Sequence, residues 1–132
     1  MRSPPPRHDA PLRIELPAVR SSVWKARRAV AAFCVGQALD HEGIAIAVSE
    51  AVANVVMHAY PDGATGAVRV FADLEPGSLL IMISDDGQGM TRGTDSPGMG
   101  VGLDVIARIA TSLQIDDDDS GTRLTMRFER AV

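Results

Sequence analysis

The segment from Ser49 to Tyr60 most strongly limits what this chain can fold into. It reads SEAVANVVMHAY and places Glu50, Asn54 and His58 at intervals of four on an otherwise apolar run. In a helix these three polar residues share one stripe, and the apolar residues fall on another that can pack on a core. The apolar stripe consists of Ile44, Val48, Val52, Val55 and Ala59. The segment therefore predicts a core helix with one polar stripe.

Glu50 and Asn54 offer two kinds of chemistry from adjacent turns of this helix. A carboxylate can orient or deprotonate a nucleophile, and a carboxamide supplies a neutral oxygen to a hard cation. A polar face that simply meets water would give the same pattern. The residues downstream have to decide between these two interpretations.

Composition limits the class of protein. The chain has 132 residues, of which 45% are hydrophobic but only 4% aromatic, so we expect one domain with an aliphatic core. A net charge of −4 argues against a general nucleic-acid binder. The single cysteine, Cys34, excludes an internal disulfide and a cysteine-rich zinc site, and we expect it to be inert packing. No apolar run approaches the roughly 18 residues needed to span a bilayer, and the N-terminus lacks the apolar core of a signal peptide. We therefore expect a cytoplasmic protein.

Hydrophobic periodicity predicts the order β-α-α-β-β-α-β-β. We expect a disordered, Pro-rich tail over residues 1–11 and a single domain over residues 12–132. Asp40 is a favourable N-cap for the second helix. The order fits an α+β fold of two layers, a mostly antiparallel sheet covered on one face by helices. The predicted strands are 12–16, 68–74, 79–83, 114–116 and 123–129, and the predicted helices are 19–39, 41–60 and 101–113.

Two glycine-rich clusters flank the loop that follows the buried strand LLIMI. The first, Asp85 to Gly89, reads DDGQG, and a carboxylate there can accept a hydrogen bond from an exocyclic amine such as that of adenine. The second, Gly98 to Leu103, reads GMGVGL and opens a helix, whose free N–H groups and positive dipole end suit a phosphate. Together the clusters could hold opposite ends of one nucleotide, although either alone could be an ordinary turn or helix entry.

Other phosphate-binding motifs fail on spacing. A Walker A loop needs Gly-Lys, but Lys25 is the only lysine and lies in the first predicted helix. The glycines at 98, 100 and 102 do not fit a dinucleotide fingerprint, and the strand lysine, HRD and DFG motifs of protein kinases do not occur.

The ordered set ExxxN, DxGxG, GxGxGL and a closing Gly121-Thr122 resembles the Bergerat-type ATP-binding fold of the GHKL superfamily. Within it, the short length and the sequence NVVMHAY resemble the bacterial anti-sigma-factor serine/threonine protein kinases. The loop 90–97 is shorter than the ATP lid of chaperones and gyrases, which fits the small kinases, and Arg92 is its only cation.

The resemblance implies a role for each matching residue. Asn54 would coordinate Mg²⁺ on the ATP phosphates, Glu50 would be the catalytic base or would orient the attacking hydroxyl, and Asp85 would bind the adenine amine. Thr122 would support the adenine through a water or through Asp85. Two sets of residues complete the implied ATP site: the adenine pocket would contain Gly87 and Gly89, and the phosphate loop Gly98, Gly100, Val101, Gly102 and Leu103. His58 matches a family position without a defined role.

The resemblance also implies a function. The protein would phosphorylate a serine of an anti-anti-sigma (STAS-domain) partner, bind a sigma factor and form a homodimer. Two alternatives remain open: an ATP-binding regulator that sequesters a partner without transferring phosphate, and a histidine-kinase-like catalytic domain acting on a separate phospho-acceptor protein.

The acidic run Asp116–Asp119 lacks the spacing of an EF-hand loop and is interpreted as a solvated hairpin turn.

Overall fold

A computed structural model describes residues 10–61, 64–88 and 99–131 of the chain. Within these residues, five strands and three helices follow the predicted order, with one π-helical turn directly after the second helix. The strands are β1 (Leu12–Pro17), β2 (Ala67–Glu75), β3 (Ser78–Asp85), β4 (Ser112–Asp118) and β5 (Gly121–Glu129); the helices are α1 (Ser21–Phe33), α2 (His41–Asn54) and α3 (Met99–Ile109); the π-helical turn is Val55–Ala59.

All strand pairings are antiparallel, in the spatial order β1-β2-β3-β5-β4. Because side chains alternate between the faces of a strand, β2, β3 and β5 each bury every second residue against the helices. The register of β3 on β5 pairs Asp85 with Thr122, so two predicted site residues lie side by side on the buried face.

The helices form the second layer, in which α2 packs between α1 and α3. Asp40 is the N-cap of α2, and its carboxylate accepts a hydrogen bond from the Gly43 N–H at 3.0 Å. The whole predicted apolar stripe of this helix, Ile44, Val48, Val52, Val55 and Ala59, is buried in the core. The predicted α+β fold is confirmed.

The C-terminal ends of all three helices differ from the predictions. The first helix ends at Phe33 rather than near Leu39, since the chain turns through Gly36, whose φ of 82° favours glycine. The second is α-helical only to Asn54 and continues as the π-helical turn. The third ends at Ile109 rather than at Leu113, because residues from Ser112 onward pair with β5 as strand β4.

One apolar run corrects the sequence analysis. The helical segment His41–Ala59 has 19 residues and, by length and composition alone, is long and apolar enough to cross a membrane. No such run was expected from the sequence. Within the fold this segment is the core helix, and its apolar stripe packs inside the protein.

Cys34 is buried as expected, and burial raises the pKa of its thiol to about 11, which disfavours the reactive thiolate.

Candidate functional site

Asp85 ends the central strand β3 with its side chain buried beneath the helices; only 7% of the residue is exposed. Burial raises the pKa of its carboxyl, while hydrogen bonds from the backbone amides of Gly87 and Thr122 oppose the shift. The Gly87 N–H lies 2.9 Å from Oδ1 of Asp85. A carboxylate kept in this position is an acceptor for a ligand donor that enters between the layers.

Asp85 lines a cleft between the sheet and the C-terminal half of α2. The cleft contains about 360 Å³ of empty space, including the part open to solvent. Its walls combine small and aliphatic side chains with a few polar groups, as is usual for small-molecule sites. The lining residues are Ala51, Asn54, Val55, His58, Ala59, Ile83, Asp85, Gln88, Thr122 and Leu124.

Glu50 and Asn54 meet the start of α3 at Gly102. A β-carbon built on Gly102 would lie 3.1 Å from Oε2 of Glu50 and 3.3 Å from Oδ1 of Asn54. The absence of a side chain therefore allows the third helix to approach these two polar groups closely. The structure thus brings together residues from two motifs that are about fifty positions apart in the sequence.

Asn54 carries the one buried side-chain polar atom in the described part of the chain that lacks a hydrogen-bond partner, its Nδ2. Such orphaned groups are rare and call for an explanation. A phosphate oxygen on Nδ2, with a cation on the amide oxygen, would satisfy the side chain. The donor set of one carboxamide beside one carboxylate fits Mg²⁺, which binds a few protein oxygens and keeps the rest of its shell for water and phosphate.

The first turn of α3 contains Gly100 and Val101 as well as Gly102. The N–H groups in a first turn have no acceptor within their own helix, so they can donate to an anion beside Glu50 and Asn54. Leu103, placed in the phosphate loop by the resemblance, is half-buried and packs against the core. Gly89, Gly98 and Arg92 lie outside the described residues.

The loop after β3 is fixed to the end of the π-helical turn, a feature that the sequence analysis missed. The Gln88 N–H donates to the carbonyl of Ala59 at 2.6 Å, and Nε2 of Gln88 donates to the carbonyl of His58 at 2.8 Å. A β-carbon on Gly87 would overlap the Ala59 carbonyl, so glycine is required there. Gln88 is a variable position within DxGxG, and nothing in its spacing could have revealed this role.

Tyr60 is a second residue that the sequence analysis did not single out as part of the site. Its hydroxyl donates to the Ala67 carbonyl at 2.6 Å and accepts from the amides of Ala67, at 3.2 Å, and Asp86, at 3.1 Å. The ring lies against Gly66, where a β-carbon would overlap it. One phenol therefore holds the end of the helical layer, the start of β2 and the corner after Asp85.

Thr122 lies in the cleft, but its hydroxyl has a different partner from the one expected. Oγ1 donates to Oδ1 of Asp117 at 2.9 Å, and it is the backbone amide of Thr122 that reaches the Asp85 carboxylate. Asp117 belongs to the acidic run, the end of which turns as predicted: Oδ1 of Asp118 accepts from both the N–H and the hydroxyl of Ser120. These hydrogen bonds lower the pKa of the Asp118 carboxyl.

The fold is an antiparallel sheet covered on one face by helices, with a buried carboxylate at the end of its central strand. The polar stripe of the core helix faces a helix that begins with glycines. Together these features define an ATP-binding domain of the GHKL class. The chain belongs to the family described as histidine kinase-like ATPase domain, which matches residues 16–128.

The curated relatives carry one name. The chain is 30% identical over 135 residues to the anti-sigma F factor of Clostridium kluyveri, covering 91% of this chain and 94% of that protein. It is 31% identical over 117 residues to the anti-sigma F factor of Clostridium novyi, covering 77% of this chain and 82% of the relative.

Solved structures give the same fold. The histidine kinase domain of the blue-light activated histidine kinase EL346 from Erythrobacter litoralis matches with a TM-score of 0.57 and 26% identity. The match covers 67% of this chain and 43% of that one, so this chain corresponds to less than half of the kinase structure. Another structure of the same kinase matches with a TM-score of 0.56 at 18% identity and shows the fold alone.

Proposed function

We propose that this protein binds ATP with Mg²⁺ and acts as an anti-sigma factor with serine/threonine protein kinase activity. Its protein substrate would be a serine of an anti-anti-sigma protein of the STAS type. The observation that carries the proposal is that Asn54, which meets Gly102 together with Glu50, lines the same cleft as the buried carboxylate of Asp85. The names of the relatives support the anti-sigma part.

Each end of the cleft suits a different part of ATP. Asp85 would accept a hydrogen bond from the adenine amine, with the aliphatic side chains of Ile83 and Leu124 against the base. Asn54 would hold Mg²⁺ through its amide oxygen, and the first-turn amides of α3 would donate to the phosphates. When bound, Mg²⁺ would neutralise part of the phosphate charge, and the groups of this chain would position the nucleotide.

The transfer itself needs one proton acceptor. The serine oxygen forms a bond to the γ-phosphorus, the bond from that phosphorus to the β,γ-bridging oxygen breaks, and ADP leaves. Glu50, which meets the first turn of α3, accepts the hydroxyl proton. A binding protein without transfer has no use for a carboxylate at this position, and this favours the kinase over the sequestering alternative.

Phosphorylation would then act as a switch. The phosphoserine adds a charge of about −1.5 to −2, which would enter the interface between kinase and partner and weaken it. The kinase, released from its phosphorylated partner, would then be free to bind its sigma factor. We further propose that it acts as a homodimer in the cytoplasm, which light scattering and fractionation would test.

Calorimetry tests the nucleotide part. ATP is titrated into the wild-type protein and the Asp85→Ala variant, with and without MgCl₂. We expect wild type to bind ATP more tightly with Mg²⁺, and Asp85→Ala to bind it at least tenfold more weakly. Wild-type protein that binds no nucleotide would overturn the proposed function.

A transfer assay tests the catalytic part. The protein is incubated with γ-labelled ATP and the STAS-type protein encoded nearest to it in its genome. We expect wild type to label that protein and Glu50→Gln to bind ATP without labelling it. Acid-stable label indicates phosphoserine. Acid-labile label would indicate phosphohistidine and favour the histidine-kinase-like alternative, which the EL346 structural match keeps in view.

A further inference from the structure

Gln88 links two parts of the cleft that the sequence places about thirty positions apart. Its backbone and side-chain amides both donate to carbonyls of the π-helical turn, those of Ala59 and His58. The last carbonyl groups of a helix find no N–H donor within that helix. The two hydrogen bonds from Gln88 therefore cap the end of the helix from a distant loop. π-helical turns are themselves frequent at functional sites.

The link continues without a gap to both ends of the cleft. On one side, Gly87 packs against Ala59 and donates to the carboxylate of Asp85. On the other, the π-helical turn follows directly on Asn54, the last residue of α2. Hydrogen bonds and short stretches of chain therefore join the group proposed for adenine to the group proposed for the metal.

We propose that Gln88 is a positioning residue that sets the spacing between Asp85 and Asn54, so that one MgATP can engage both at once. This inference rests on the proposed function and deepens it. The inference predicts different effects on two ligands. Binding of MgATP, which would contact both Asp85 and Asn54, depends on their spacing, whereas binding of adenosine, which would contact only the Asp85 side, does not.

Gln88→Met is the decisive variant. Methionine has nearly the same length and volume as glutamine and no charge, but it cannot donate to the His58 carbonyl. Gln88→Asn serves as a second variant, because it keeps the amide on a side chain one carbon shorter. The control is Gln114→Met on β4, where the glutamine is exposed and its side-chain amide contacts Asp116.

Binding of MgATP is measured by calorimetry and binding of adenosine by NMR titration. We expect both Gln88 variants to lose roughly three- to tenfold in MgATP affinity, the effect of one hydrogen bond, and to bind adenosine within about twofold of wild type. Gln114→Met should match wild type for both ligands.

Three results would overturn the inference. MgATP affinity unchanged in the variants would show that the hydrogen bond does not set the spacing. Equal losses for MgATP and adenosine would show that Gln88 contacts the nucleoside or supports the fold in general. If Gln88→Met does not fold, the Gln88→Asn result decides. Wild type that binds no nucleotide removes the proposed function as well, whereas wild-type binding with unaffected variants removes this inference alone.

Discussion

Gly102→Ala tests the convergence of the two helices most directly. The added methyl carbon would lie 3.1 Å from Oε2 of Glu50 and 3.3 Å and 3.4 Å from the two polar atoms of the Asn54 amide. The two contacts with oxygen are shorter than ordinary methyl contacts, whereas the contact with Nδ2 is ordinary, so Oε2 of Glu50 and Oδ1 of Asn54 must each move by a few tenths of an ångström. All three contacting atoms are at the ends of side chains, so the backbone can stay in place.

The two consequences of this substitution differ in size. In a helix interior alanine gains about 0.8–1 kcal/mol over glycine, and in the first turn it gains less. The crowding costs about 1 kcal/mol, so the free energy of unfolding should change by about 1 kcal/mol or less. Phosphoryl transfer depends on geometry, and a displacement of 1 Å can cost about 100-fold in rate. A displacement of a few tenths should lower kcat by roughly threefold to tenfold.

Single-turnover transfer from labelled ATP gives the rate, and urea denaturation gives the stability. Ala107→Gly provides the calibration, because Ala107 is exposed, lies five positions beyond Gly102 on the same helix and reports the glycine–alanine difference. We expect Ala107→Gly to lose about 1 kcal/mol of stability and to keep wild-type transfer. Gly102→Ala with a wild-type transfer rate would refute the argument that Glu50, Asn54 and this helix start form the reacting end of the site.

Three further predictions concern the cleft. Asn54→Ala should bind ATP with the same affinity with and without MgCl₂ in calorimetry; a persistent Mg²⁺ enhancement would place the metal on other groups. Because burial raises the pKa of the Asp85 carboxyl, acidification should protonate it above the ordinary Asp value of about 3.9 and weaken ATP binding there. Asp85→Asn has no proton to gain, so its ATP affinity measured across the same pH range should be weak and flat; a wild-type profile equally flat down to that value would contradict the assignment. Tyr60→Phe leaves the amides of Ala67 and Asp86 without the phenol oxygen and should cost about 1–3 kcal/mol in urea denaturation, against no change if water replaces it fully.

Much of the fold was predictable because its signals are local. The alternation in β2, β3 and β5 follows from a side-chain period of two, and the stripe from Ile44 to Ala59 follows from the helical period. Asp40 could be recognised as an N-cap because its partner, Gly43, is three residues away. Such features depend on neighbours in the sequence.

The boundaries that were wrong depend on partners far along the chain. Leu113 fits a helix by pattern, but it pairs with Met126 and so belongs to strand β4. The helix through Asn54 was expected to continue regularly to Tyr60. Instead it changes to a π-helical turn, and the carbonyls of that turn accept hydrogen bonds from Gln88.

The candidate site divides in the same way. Spacing and the family resemblance selected Glu50, Asn54 and Asp85 together with the glycine clusters. No pattern indicated that Gln88 and Tyr60 hold these pieces in place, or that the Thr122 hydroxyl donates to Asp117. Gln88 and Tyr60 act through backbone groups of other segments, and a backbone group leaves no signature in the sequence of the residue that contacts it.

By itself, the amino-acid sequence determined the order of the elements, the faces that they bury and the residue types able to handle a nucleotide, since each is written in periodicity and composition. The tertiary structure alone decided how near Gly102 comes to Glu50, that Nδ2 of Asn54 is left without a hydrogen-bond partner, and which loop caps the π-helical turn. Those are distances between segments that meet only after the helices have packed on the sheet, and packing is a property of the whole chain.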